Sequence, residues 1–215
     1  MRAPSGVKNL IAMPDKYRSF RQLARAEVEN LDFRVNSLPR AAETVLIAPH
    51  GGEIEPGTSE IAAGIAGNDY SLYLFDGLKP EENGALHITS TRFDEPRCME
   101  LVEESERVVA IHGEGSPRDV AYIGGRDAAL AARIAKALKA HGFSVRRHRN
   151  ELLQGVSERN ICNRGRSGAG VQLELGRGLR KRMFASLDAA GRRSTTPVFE
   201  RFIGAVREGL AEHTT

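Results

Sequence analysis

The sequence LIAPHGGEIEPGTSEIA, Leu46 to Ala62, indicates both how this chain folds and where its chemistry is expected. Its apolar start is typical of a central strand in a sheet, and the strand stops near Pro49. From residue 57 onward the composition is that of a helix start, with Thr58 as the N-cap candidate. The stretch therefore predicts a strand and a helix joined by a glycine-rich turn that carries His50, Glu53 and Glu55.

Length and composition predict one globular domain. The chain has 215 residues, of which 40% are hydrophobic and 27% are charged, enough to bury a sizeable core. No apolar run reaches the ~18 residues of a membrane span, and the patch Leu10–Met13 is too short for a signal-peptide core. We therefore expect no membrane contact and a cytoplasmic protein, which lysis would release if it acts outside the cell.

The cysteine spacing and the charge content disfavour two classes of protein, metal fingers and nucleic-acid-binding proteins. Cys98 and Cys162 lack the spacing of a metal finger, and we expect both to be buried thiols. The net charge is +3 and arginine is abundant, which favours an anionic partner. The chain has no tryptophan, few aromatics and no lysine-rich block, so nucleic acid is disfavoured as that partner.

Strands and helices are predicted to alternate along the chain. Predicted strands lie at 32–38, 43–50, 70–77, 86–91, 107–115, 120–125, 143–149 and 170–176. Predicted helices lie at 14–28, 58–67, 94–105 (N-cap Asp94), 126–142, and at the C-terminus with Pro197 near the start. This alternation predicts one α/β domain with a largely parallel or mixed sheet. The polar loop 150–169 is long enough for a functional role.

Two predicted strands end in histidines, His50 and His112. In open α/β sheets, ligands bind beyond the carboxyl ends of the strands, and catalytic zinc often takes two histidines and one carboxylate. His50 with either Glu53 or Glu55 would supply two ligands from one turn, and His112 would supply the third. The alternative is that both histidines are hydrogen-bonded strand-end residues that bind no metal.

Glu174 lies between two leucines in a predicted strand, where alternation places it on the same face as Gln172. That face is either the exposed polar side of the sheet or part of a site. In a site, Glu174 would be the general base toward a metal-activated water.

The region that surrounds this strand is rich in basic residues: Arg164, Arg166, Arg177, Arg180, Lys181 and Arg182. Arginine binds carboxylates in a bidentate geometry. Some of these side chains will only be solvated, and Arg164 and Arg180 are the candidates for substrate contact.

Five segments occur in a recognisable order: HGGEIEPGTSEIA, LHITSTRFDEP, AIHGEG, AYIGG and NICNRGRSGAGVQLELGRGLR. Together they resemble the poly-γ-glutamate hydrolase family of phages and bacterial genomes, over about residues 17–202. The resemblance implies a single domain over residues 1–215 with a fold like that of zinc carboxypeptidases, a mixed sheet with helices on both faces. It also implies zinc-dependent cleavage of γ-glutamyl amide bonds in poly-γ-glutamate.

The resemblance also assigns the site. The family pattern His-Gly-Gly-x-Ile-Glu places the metal-binding carboxylate at its last position, so the implied Zn²⁺ ligands are His50, Glu55 and His112. Glu174 would correspond to the catalytic glutamate of carboxypeptidases. By analogy, Arg164 and Arg180 would hold substrate carboxylates, and His87 would lie near the site without binding metal.

Two other functions stay open at this point. One is a zinc amidase that acts on a small acyl-glutamate or γ-glutamyl compound. The other is a non-catalytic phage-related protein that binds polyanions such as nucleic acid.

Overall fold

The computed structural model describes residues 15–211, whose strands and helices follow the alternation of the sequence. The strands are β1 Phe33–Leu38, β2 Thr44–Gly52, β3 Ser71–Gly77, β4 Arg107–Glu114, β5 Ala121–Gly125, β6 Val145–Arg146 and β7 Val171–Gly176. The helices are α1 Phe20–Leu23, α2 Thr58–Ala66, α3 Pro96–Glu104, α4 Ala128–Ala140, α5 Arg177–Met183 and α6 Pro197–Leu210. Short 3-10 helices span Asn83–Leu86, Glu151–Leu153, Ile161–Asn163 and Gly191–Arg193.

The seven strands form one mixed sheet in the order β1-β3-β2-β4-β7-β5-β6. The β3, β2, β4 and β7 strands are mutually parallel, and β5 pairs in parallel with β6. Two antiparallel pairs, β1 with β3 and β5 with β7, make the sheet mixed. The three central strands β2, β4 and β7 therefore end at the same edge, which is where the site residues lie.

Apolar side chains cover both faces of the sheet. On one face Val109 and Ile111 of β4 pack in a cluster with residues of α2, α4, α5 and α6. On the other face Val108 and Ala110 pack with residues of α1 and α3. The predicted fold class, a mostly parallel sheet with helices on both faces, is confirmed.

Three predicted elements are wrong or much shorter than expected. Residues 86–91 form no strand, because Ile88 and Thr89 hydrogen-bond to the side chains of His50 and Asp15. Of the predicted strand 143–149 only Val145–Arg146 pairs with the sheet. Its next residue, Arg147, instead donates to Gln154 in the following loop.

The predicted helix 14–28 is helical only at Phe20–Leu23. The Tyr17 hydroxyl donates to the Glu27 carboxylate, and a continuous helix would separate those residues by about 15 Å at 1.5 Å per residue. The chain must therefore bend between them. Residue 14 and the apolar patch Leu10–Met13 lie outside the described residues.

Helix boundaries also differ from the prediction. The N-cap of α2 is Gly57 in a left-handed conformation, and Thr58 donates its hydroxyl to the Glu55 carbonyl instead. The N-cap of α3 is Glu95, which accepts the Cys98 N–H at 2.9 Å. Asp94, the predicted cap, accepts the backbone N–H of Phe20. The sequence pattern did not predict α5, because its arginines hide the apolar spacing.

Two expectations on composition can be compared with the structure. Cys98 and Cys162 are both free and buried, as predicted. Within residues 15–211, the helices are too short or too polar to cross a bilayer.

Candidate metal centre and active site

The turn after β2 is built by a bulge and a glycine. Between Ala48 and Gly51, β2 contains one more residue than its partner β3, which re-aims the end of the strand. Gly52 has a φ of 60°, and a Cβ there would lie 2.4 Å from the carbonyl oxygen of Gly77, so only glycine fits. The Glu55 N–H then donates to the His50 carbonyl at 2.9 Å and closes the turn.

His50, Glu55 and His112 converge on one point, with potential ligand atoms all within 4.8 Å of one another. The His50 Nδ1 atom lies 3.2 Å from Glu55 Oε1 and 3.2 Å from His112 Nδ1. The His112 Nδ1 atom lies 3.7 Å from Glu55 Oε2. The turn after β2 and the end of β4 therefore present two imidazole nitrogens and one carboxylate to a shared centre.

Hydrogen bonds behind the rings set which nitrogen can bind a cation. The His50 Nε2 atom lies 2.9 Å from the Ile88 carbonyl oxygen. Because a carbonyl only accepts, Nε2 carries the proton and Nδ1 keeps its lone pair. The His112 Nε2 atom lies 3.4 Å from Ser90 Oγ. The His50 Nδ1 lone pair faces His112 Nδ1 and the Glu55 carboxylate, and two imidazole nitrogens with one carboxylate are a donor set that fits zinc.

Glu55 is ionised in this setting. Burial acts to raise the pKa of its carboxyl group, but the charges and hydrogen bonds of His50 and His112 outweigh burial and hold the pKa well below its usual range. The backbone N–H of Gly113 also donates to Glu55 Oε2 at 2.7 Å. The structure thus supplies an anionic ligand atom beside the two imidazole nitrogens.

Glu53, the other carboxylate of the turn, lies elsewhere. Its Oε1 atom accepts a hydrogen bond from Arg192 Nη2 at 2.7 Å, and Arg192 Nε donates a hydrogen bond to Glu60 at 2.8 Å. Of the two glutamates left open by the sequence, Glu55 is therefore the one beside the histidines.

Glu174 lies next to the cluster. It is the parallel neighbour of His112 in the β4–β7 register, is only 6% exposed, and accepts Gln172 Nε2 at 2.9 Å. Burial raises the pKa of its carboxyl group well above the usual range, and the negative charges of Glu55 and Glu114 add to the rise. The alternative in which Glu174 lies on an exposed face is wrong.

The two arginines predicted to contact substrate occupy different environments. Arg180 is 3% exposed and donates to the backbone carbonyls of Leu175, Pro56 and Glu114. It therefore braces the loops that follow β2 and β4. Arg164 is exposed, pairs with Glu103 at 3.3 Å, and lines a groove outside the histidine cluster.

Some residues around the cluster had only a weak signal in the sequence. The ring of His87 lies 4.0 Å from that of His50 between centroids, and its Nδ1 atom lies 2.7 Å from Asp15. The pKa of His87 is lowered to about 4, because positive charges on His87 and His50 would repel each other and because burial disfavours the charged form. His87 was expected nearby, whereas Asp15 and Ser90 were missed because no pattern links them to the strand ends.

The fold and this cluster define an α/β protein with a candidate mononuclear metal centre at the carboxyl ends of parallel strands. Residues 17–205 match the model of the family described as Poly-gamma-glutamate hydrolase. The chain therefore belongs to this hydrolase family, and the resemblance inferred from its motifs is confirmed. It is 37% identical over 197 residues to UPF0714 protein YmaC of Bacillus subtilis (strain 168), covering 90% of this chain and 83% of YmaC.

Solved structures agree with this assignment. A structure described as bacteriophage poly-gamma-glutamate hydrolase superposes with a TM-score of 0.89 at 29% identity, covering 92% of this chain and 97% of the other. A structure described as YNDL-apo (Zinc-free) superposes with a TM-score of 0.87 at 34% identity, covering 92% and 98%. The whole described fold is therefore shared with proteins of this family.

Proposed function

We propose that this chain is a zinc-dependent hydrolase that cleaves γ-glutamyl amide bonds in poly-γ-glutamate. The observation that carries the proposal is the convergence of His50, Glu55 and His112 beside the buried carboxyl group of Glu174. Family membership supports the substrate class. The description of the YndL structure as apo and zinc-free supports the choice of zinc as the metal.

The two Nδ1 atoms and the Glu55 carboxylate would hold the zinc ion. When bound, zinc lowers the pKa of a coordinated water toward about 7 and polarises a substrate carbonyl. The Ile88 carbonyl orients the His50 ring for this task, and the Gly113 N–H orients the Glu55 carboxylate. Such outer contacts fix ligand geometry in metal sites.

Glu174 is the proposed general base. It takes a proton from the attacking water as the water oxygen forms a bond to the amide carbon. It then delivers that proton to the leaving nitrogen as the carbon–nitrogen bond breaks, which leaves a carboxylic acid and an amine; the acid then gives its remaining proton to the amine. A raised pKa suits a carboxyl group that must both accept and donate a proton near neutral pH.

A second feature suits a polyanionic substrate. A groove of about 460 Å³ is lined by four arginines, Arg18, Arg92, Arg159 and Arg164, which outnumber its two acidic residues, Asp94 and Glu158. It also includes Thr91, which directly follows the Ser90 that contacts His112. We propose that these arginines bind the free carboxylates of the polymer.

Arg180 has few N–H groups left for a contact with substrate. A guanidinium group has five N–H donors, and backbone carbonyls take one from each of its three nitrogens. Any direct contact of Arg180 with substrate therefore uses the remaining N–H of Nη1 or Nη2.

The test is to incubate the purified protein with poly-γ-glutamate, with and without a chelator, and to follow polymer length and bound zinc. We expect shortening that the chelator abolishes and zinc restores. Stoichiometric zinc without shortening would contradict the polymer as substrate and direct the assay to small acyl-glutamates. Absence of both would overturn the proposal.

A further inference from the structure

Three buried polar side chains form a line that ends at Glu174. The Cys162 backbone N–H donates to Asn160 Oδ1 at 3.0 Å. The Asn160 Nδ2 group then donates to Gln172 Oε1 at 2.9 Å, and Gln172 Nε2 donates to Glu174 Oε1 at 2.9 Å. Asn160 and Gln172 are 4% and 3% exposed, so water does not compete for these bonds.

The direction of this line is set by its first donor. A backbone N–H cannot accept, so the atom of Asn160 that faces Cys162 must be the amide oxygen. The amide nitrogen of Asn160 must then face Gln172, which forces the oxygen of Gln172 toward Asn160. The only remaining orientation presents the N–H of Gln172 to Glu174.

The same loop also supports the metal ligands. The Ile161 N–H, one residue after Asn160, donates to the Ser90 carbonyl at 2.9 Å. Ser90 contacts His112, and Ile88 in the same segment fixes His50. Loop 150–169 therefore contacts both the segment that orients the proposed metal ligands and, through Gln172, the proposed base Glu174.

We propose that Asn160 is a positioning residue for the reaction: acting through Gln172, it directs an N–H at Glu174 Oε1 and leaves Oε2 for proton transfer. This inference rests on the role of Glu174 proposed above. Gln172 also donates to the Leu153 carbonyl at 3.3 Å, so its amide nitrogen is satisfied only in this orientation.

The decisive variant is Asn160→Asp, which keeps the shape and the acceptor for the Cys162 N–H. The ionised carboxylate cannot donate, so at alkaline pH, where the new carboxyl group is ionised despite its burial, Gln172 must turn its N–H toward residue 160 and its oxygen toward Glu174. We expect kcat to fall about 10- to 100-fold, the scale of a hydrogen bond to a charged group, while KM and zinc content change little. Asn160→Ala leaves Gln172 free to keep its orientation and should lose less.

A merely structural role predicts the reverse order, because aspartate fills the site and alanine leaves a cavity. The matched control is Asn163→Asp in the same loop. Asn163 is equally buried and donates to the carbonyls of Gly155 and Ser157. We expect Asn163→Asp to lower Tm while its kcat stays within about threefold of wild type, since its bonds do not lead to Glu174.

A double-mutant cycle distinguishes the effect of reversing the Gln172 amide from the effect of the negative charge that Asn160→Asp adds. On a Gln172→Leu background, Asn160→Asp should cause no further loss of kcat, because there is no amide left to turn. A further loss there, or a larger loss for Asn160→Ala than for Asn160→Asp, would overturn the proposal.

A second readout does not depend on turnover. With ¹⁵N-labelled side-chain amides, the Gln172 resonance should shift strongly on Glu174→Gln in the wild-type background and weakly in Asn160→Asp. If it responds equally in both, the positioning proposal is wrong whatever the activity. If wild type leaves poly-γ-glutamate intact while the resonances behave as expected, only the proposed function fails.

Discussion

Two carboxylates on one turn, Glu53 and Glu55, have opposite surroundings. Arg192 supplies the positive charge for Glu53 and also binds Glu60, so the chain neutralises that carboxylate itself. Glu55 faces two histidine nitrogens, one of which must be unprotonated. The difference is that Glu53 has its cationic partner within the chain, whereas Glu55 faces the centre where the proposed zinc ion would bind.

The largest expected effect on zinc content and kcat comes from replacing a histidine of the cluster. His50→Ala or His112→Ala should lose zinc and lower kcat by on the order of 10³-fold or more, because a bound metal contributes several kcal/mol to the transition state. Zinc content by elemental analysis and polymer cleavage are the measurements. Glu53→Gln is the control and should keep its zinc; normal zinc in either histidine variant would refute the ligand assignment.

The next largest effect concerns the base. Glu174→Gln should keep zinc and fold normally but lose about 10²- to 10⁴-fold in kcat, the usual scale of general acid–base catalysis. Steady-state kinetics together with metal analysis will show this. A rate near that of wild type would exclude Glu174 as the base.

The ion pairs of Glu53 and Glu60 with Arg192 are expected to contribute to stability but not to metal binding. Arg192→Met leaves Glu53 and Glu60 without their cation, and since both are about one-third exposed we expect a cost of only about 2 kcal/mol in the free energy of unfolding. Denaturant unfolding measures this cost. The exposed neighbour variant Arg193→Met should change stability by less than about 0.5 kcal/mol. Equal effects of the two variants would mean that the ion pairs do not stabilise the fold.

The smallest expected effect concerns Glu27, which, like Glu53, has its cationic partners within the chain. Burial acts to raise the pKa of its carboxyl group, but Tyr17, Lys79 and Lys16 outweigh burial and lower the pKa to about 2. Its ionised form thus stabilises the fold above the unfolded-state pKa near 4.5, and this contribution is lost as pH falls from there toward about 2. Glu27→Gln should cost about 1 kcal/mol at pH 7. Urea unfolding across this range should show wild type and variant converging, and a pH-independent gap would contradict the assignment.

The long strands were predictable from the sequence because they are buried on both faces and therefore read as continuous apolar runs. The α4 helix was predictable because its buried residues recur at helical spacing. The segments 14–28 and 86–91 were not, because partners distant in the chain override their local preference. Glu27 binds Lys79, and the backbone of Ile88 serves His50. Segments whose backbone supports a site lose the regular pattern from which elements are predicted.

Within the site, sequence order placed His50, His112 and Glu174 at strand ends, and a family pattern favoured Glu55 over Glu53. The orientation of the Asn160 and Gln172 amides depends on a backbone N–H and two side chains brought together by the loop before β7. No local pattern encodes such an orientation.

The sequence by itself determined the α/β architecture, the hydrolase family and the residue types at the carboxyl edge of the sheet. Periodicity and motif order are properties of the chain alone, and they suffice for these conclusions. Only the tertiary structure decided which glutamate faces the histidines, that Arg180 binds backbone carbonyls, and that Glu174 is buried. The physical reason is that burial, the direction of a hydrogen bond and the choice of ion partner depend on neighbours from other strands and loops.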